Sequence, residues 1–171
     1  MSLRTDTFDL AGLRLSTGEG RRLDLQVRIE PLQFGGESYA VHPLVDVKLD
    51  VSRMTGTGYA LAMRFEAHLS GPCMRCLGQA STSVSVEARE VSQPGAGEDL
   101  ESPYVDEGVL DLRAWARDAL ALTIPTQVLC RPDCAGLCPV CGEDLNVAGA
   151  EHRHEREPDL RWAQLSEIRF E

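Results

Sequence analysis

Positive charge is scarce in this chain. Lys48 is its only lysine, acidic residues outnumber basic ones 27 to 17, and the net charge is −10. Affinity for phosphate backbones comes from Lys and Arg, so this balance argues against generic nucleic-acid binding and favours a basic protein partner. Long apolar runs are missing too, and no stretch has the length a membrane-spanning helix needs. The opening MSLRTDTFDL is charged rather than apolar, so no secretory leader is expected and the chain is assigned to the cytoplasm. The sequence has no phosphate-cradling glycine loop, no G-x-S-x-G elbow and no H-E-x-x-H helix. The common routes to phosphoryl transfer, acyl transfer and zinc-hydroxide hydrolysis are therefore unsupported. We expect a protein that is not an enzyme.

What the chain does have is six cysteines in two tight groups. Cys73-Met-Arg-Cys76 stands alone in the middle, and Cys130, Cys134, Cys138 and Cys141 crowd into LCRPDCAGLCPVCG. Cytosolic thiols stay reduced, so such clusters point to metal or redox work rather than disulfides. Two distant C-x-x-C pairs have the spacing of a tetrahedral thiolate zinc site, and Gly142 after Cys141 suits the sharp turn of a knuckle.

At 171 residues the chain is long enough to bury a core of its own, so zinc is expected to pin part of the fold rather than create it. Leu23, Leu25, Val27 and Ile29 alternate with polar residues, as do Val45 to Val51, Leu61 to Leu69 and Val84 to Ala88. This period of two predicts strands with one buried and one wet face. Gly35-Gly36 and Thr55-Gly-Thr-Gly58 supply turns, and Cys73 falls at the tip of a hairpin between the third and fourth runs. Residues 92–108 turn to Gly, Pro and acid and read as a flexible loop. A helix is predicted from Asp111, its cap, to Pro125, with Leu112, Trp115, Ala119 and Leu122 on the face toward the sheet. The expected fold class is α+β, an antiparallel sheet or partly open barrel packed by one helix, with a zinc-knuckle C-terminal segment. Residues 1–91 form the β half with the first knuckle. Residues 109–146 complete the same domain, and 147–171 are a charged tail with a short helix near Leu160 to Ile168.

Four ligands are needed and six thiols are present. Cys73 and Cys76 pair with Cys138 and Cys141, or with Cys130 and Cys134, or the local four act alone. All satisfy Zn–S bonds of about 2.3 Å on paper. Matching knuckles make the first arrangement, a zinc ribbon, the preferred one. Cys130 and Cys134 are then credible as small buried hydrophobes. A redox dithiol at Cys73 and Cys76 is disfavoured because strand-like runs flank it, whereas such motifs open helices. His152 and His154 sit in a charged tail and read as solvated, with stray metal their other use. His42 falls in a turn and His68 on a polar strand face.

The order of parts resembles a known family. Cys73-Met-Arg-Cys-Leu77 is followed by Val109-Leu-Asp-Leu112, a Leu-Thr-Ile-Pro ending at Pro125, and Leu129-Cys130. Then come Cys134-Ala-Gly-Leu-Cys-Pro-Val-Cys-Gly142, Asp144-Leu-Asn146 and Asp159-Leu-Arg-Trp-Ala-Gln-Leu165. This string is similar to the YceD family of large ribosomal RNA subunit accumulation proteins. The resemblance implies a role in ribosome biogenesis, with a ribosomal protein or the pre-ribosomal large subunit as partner and direct rRNA contact left open. Charge suggests the mode: an acidic domain holding a basic ribosomal protein through Asp46, Asp50, Glu98, Asp99 and Glu101. The rival is RNA binding by an arginine face at Arg75 and Arg131.

Overall fold

The structure is a computed structural model that describes residues 3–97 and 100–154. Its strands are β1 (Leu3–Arg4), β2 (Thr7–Asp9), β3 (Gly20–Val27), β4 (Leu32–Phe34), β5 (Glu37–Val41), β6 (Val45–Arg53), β7 (Tyr59–Pro72), β8 (Gln79–Ser92), β9 (Val105–Asp106) and β10 (Val109–Asp111). Two helices follow, α1 (Leu112–Thr123) and α2 (Leu145–Ala148). The fold is α+β: a mostly antiparallel sheet with one main helix. β1 pairs parallel to β3, β3 pairs with β6, and β6 with β7. The 14-residue β7 is the spine of this sheet. Its Tyr59–Phe65 end pairs with β6, its Leu69–Ser70 end with β5, and its whole length with β8.

Alternation sets which side is dry. Leu25 lies opposite Val47, Val47 opposite Phe65, and Phe65 opposite Val86, so one row of apolar side chains crosses four strands. All four are buried, and each contributes roughly 1.5–3 kcal/mol by leaving water. The opposite face carries charge of both signs. Asp24 faces Lys48, and Lys48 faces Arg64.

α1 covers the dry face. Asp111 caps it, accepting from the Ala114 amide at 2.9 Å, and Ile124 leaves the helix in extended backbone before Pro125. Leu112, Trp115, Ala116, Ala119 and Leu120 are buried. Leu122, placed on this face by its spacing, is instead 88% exposed. It lies in the helix's last turn, one residue before the end at Thr123, where spacing alone does not guarantee a packing partner.

Part of the stretch read as a loop takes structure. Val105–Asp106 pairs with β10, which pairs with β2, and Tyr104 stacks on Trp115 at 6.4 Å between ring centroids. The terminal helix expected near Leu160 to Ile168 lies outside the described residues, as do Glu98 and Asp99.

One packing detail braces the end of β7. Tyr39 of β5 lies flat over Gly71, where an added Cβ would come within 2.5 Å of the ring. The Tyr39 hydroxyl donates to the Pro72 carbonyl at 2.9 Å. Cys73 is the next residue.

Candidate metal centre

Between Pro72 and Gln79 the chain must reverse within six residues, and it does so as a knuckle. The Cys73 amide donates to Gly78 O at 2.6 Å and the Leu77 amide to Cys73 O at 2.9 Å, with Leu77 in the left-handed region at φ 60°. Backbone N–H groups are thereby turned toward the Cys73 sulfur, Arg75 N at 3.5 Å among them.

The returning chain after α1 docks on this tip. The Met74 amide donates to Val128 O at 2.9 Å, and Leu137 N donates to Arg75 O at 3.0 Å. Gly136 makes the second contact sterically feasible, since its φ of 81° and its approach to the Arg75 carbonyl leave little place for a side chain. Arg75 completes the seam, donating through a guanidinium nitrogen to Cys134 O at 3.0 Å.

Together these contacts bring Cys73, Cys76, Cys130 and Cys134 into one group, with all four sulfurs within 4.8 Å of one another. Cys73 and Cys134 are 3.8 Å apart, and Cys76 and Cys130 are 3.7 Å apart. A tetrahedron with bonds of about 2.3 Å has edges of about 3.8 Å, so the spacing fits four-coordinate zinc. The ionisation of the group points the same way. Burial opposes a charged Cys73, but N–H groups of Cys76, Arg75 and Cys130 outweigh it and lower the thiol to about 6. Cys130 is exposed, yet its sulfur sits against the other three, and lost hydration with the thiol contacts pushes it up to about 12. Four thiols this close cannot all be anions without a cation among them. A bound metal removes that conflict by deprotonating every ligand.

This arrangement corrects the zinc-ribbon expectation. Cys138 and Cys141 do not join Cys73 and Cys76. They gather instead with His152 and His154, again within 4.8 Å. Cys130 and Cys134, credible as buried hydrophobes in the sequence, belong to the four-sulfur group. The physical reason is the Met74–Val128 backbone bond, which delivers the first two cysteines after α1 to the hairpin tip before the last two can reach it. Chain distance carries no hint of His152, and only the tight C-x-x-C ahead of it signalled a site. His42 and His68 are spent elsewhere, on Leu44 O and the Ser83 hydroxyl.

The surface candidates also resolve. Asp50 is paired with Arg22 at 2.6 Å and Arg64 at 3.1 Å, and Asp46 accepts from Gln26. The wet sheet face is thus charge-balanced rather than an acidic patch. Arg75 is committed to Cys134, and Arg131 to Asn146 at 2.8 Å and Asp133 at 3.4 Å. Neither forms a free arginine face.

A family model described as "Large ribosomal RNA subunit accumulation protein YceD" matches residues 61–169. The chain belongs to the YceD family. The matched span holds all but the first two residues of β7, together with β8, α1 and every cysteine. Uncharacterized proteins of Mycobacterium tuberculosis and Mycobacterium bovis are each 34% identical, covering 95% of this chain and 80% of their own. One of Mycobacterium leprae is 33% identical over 56% of this chain and 46% of its own. No solved structure matches. The YceD family name carries a role in accumulation of large-subunit ribosomal RNA. Among the described residues, no helix is long and apolar enough to cross a membrane.

Proposed function

We propose that this YceD family member is a non-catalytic, cytoplasmic factor in large-subunit assembly that holds a basic ribosomal protein, free or on the pre-ribosome. The family match over residues 61–169 carries this reading. The charge of −10 supports a basic partner over naked RNA. Because Asp46 and Asp50 are already paired, the contact surface shifts toward the β9–β10 hairpin. Asp106 and Glu107 in the hairpin and Glu101 in the segment before it are exposed, and none has an ion pair among the described residues.

Zinc fits as a structural ion on Cys73, Cys76, Cys130 and Cys134. With four thiolates bound it keeps no position for water, so its contribution is to staple the β7–β8 tip to the chain after α1.

Co-purification from lysate at two salt concentrations tests the reading. We expect a large-subunit protein or particle to be retained at low salt and released at high salt, because exposed charge contacts are screened. Asp106→Asn with Glu107→Gln should weaken retention. Recovery of no large-subunit component at low salt would sink the proposal.

A further inference from the structure

The second cysteine pair repeats the knuckle of the first, bond for bond. At Cys73 the cysteine amide donates to the carbonyl five residues on, and the residue four on donates back to the cysteine carbonyl. At Cys138 the amide donates to Glu143 O at 2.8 Å, and Gly142 N returns to Cys138 O at 2.8 Å. The residue four on is left-handed in both, Leu77 at φ 60° and Gly142 at φ 77°. This turn aims two sulfurs at a common point, and here the rest of the point is filled by imidazole.

His152 Nε2 lies 3.4 Å from the Cys141 sulfur and 2.9 Å from His154 Nε2. Tetrahedral zinc with Zn–S near 2.3 Å and Zn–N near 2.05 Å wants edges of about 3.5 Å and 3.3 Å, so a few tenths of an ångström of opening admits the ion. The rings meet edge to face with centroids 4.7 Å apart. On its other side His152 Nδ1 is 3.2 Å from a Glu143 carboxylate oxygen. A carboxylate there holds the proton on Nδ1 and leaves the Nε2 lone pair facing the sulfurs, as the outer partner of a metal-bound histidine does. A hydrogen bond between two histidines would explain one contact of the group. It would not explain two sulfurs converging on the same point or the carboxylate behind the ring.

We propose that Cys138, Cys141, His152 and His154 bind a second zinc ion, distinct from that of the four thiolates and more readily exchanged. Two features set the exchange apart. The first group has two buried members on a docked seam, Cys73 and Cys134, whereas Cys141 and His154 are exposed. The second group also spans only the local loop, which opens without disturbing the sheet. That loop carries α2, whose Asn146 reaches back to the Cys134 sulfur of the first site. The inference does not depend on any ribosomal partner.

The test uses the full chain, loaded with excess Zn²⁺, desalted, and assayed for metal per chain and for release to a chromogenic chelator. We expect about two ions per chain, released in a fast and a slow phase of similar size. His152→Ala with His154→Ala should leave about one ion and abolish only the fast phase, with the circular dichroism of the sheet unchanged. Glu143→Gln should keep both ions but weaken the fast one roughly 10–100-fold, the range for loss of an outer-shell partner. One ion per chain in the parent protein, or an unchanged fast phase in the double histidine variant, would overturn the proposal.

Discussion

Asn146 donates through its side-chain nitrogen to the sulfur of Cys134 at 3.5 Å, which places α2 in the outer shell of the four-thiolate site. The other end of the same amide accepts from Ala135 N and from Arg131, both at 2.8 Å. One short side chain therefore orients a sulfur of the candidate metal centre and ties down the loop on which it sits.

Asn146→Ala removes all of these bonds while leaving every metal ligand in place. Zinc affinity of the four-thiolate site should fall by roughly 10–100-fold, read by competition with a chelator of known affinity. Affinity equal to that of the parent would show that the amide does not act on the ion.

Stripping metal should loosen one end of the molecule and spare the other. The row from Leu25 to Val86 is buried across four hydrogen-bonded strands, and Cys73 and Cys134 are only two members of the same large core, so the sheet keeps most of its buried surface without the ion. The segment from Val128 to Asn146 has few buried apolar residues and depends on the seam at the hairpin tip. Hydrogen exchange of the metal-free protein should rise across 128–148 and stay low at the centres of β6 and β7. Uniform loss of protection would mean that the ion holds the whole fold.

Gly71→Ala forces a Cβ against the Tyr39 ring, and Ser38 O at 3.1 Å blocks a sideways retreat. Such overpacking costs about 1–3 kcal/mol. Denaturant melting should show that loss, and because the displaced ring also holds Pro72, zinc release should quicken in the same variant. A variant as stable as the parent would contradict the packing at this site.

Acid should reveal the Asp50 cluster. Hydrogen bonding from Arg22, followed by its charge and by Arg64, holds the Asp50 carboxyl below its usual range despite partial burial. Its stabilising effect is complete above the ordinary carboxylate value near 3.9 and disappears as pH falls through the lower folded value. Asp50→Asn should therefore melt earlier than the parent at pH 7, with the gap closing in strong acid. High salt should narrow the gap at neutral pH, since the cluster is open to solvent. A gap unchanged down to the lowest pH would rule out an ionic origin.

The four alternating runs were legible because each is long enough for a period of two to stand out, and the helix because Asp111 and Pro125 bracket it. β5 pairs with the spine of the sheet through only Ala40 and Val41, and β9 and β10 are two and three residues long. Segments that short carry no period, so their place depends on what they meet. Leu122 shows the same limit within a helix, where a matching interval does not say whether anything lies opposite the last turn.

The sequence alone determined the sheet, its wet and dry faces, the acidic balance and the two knuckles, because alternation, charge and C-x-x-C turns are local properties of the chain. It could not say which knuckle meets which cysteines. Two turns of the same form need not share an ion, since each supplies only two ligands and takes the rest from whatever the fold brings near. The backbone bond from Met74 to Val128 brings Cys130 and Cys134 to the first. The return of the chain past α2 brings two histidines to the second.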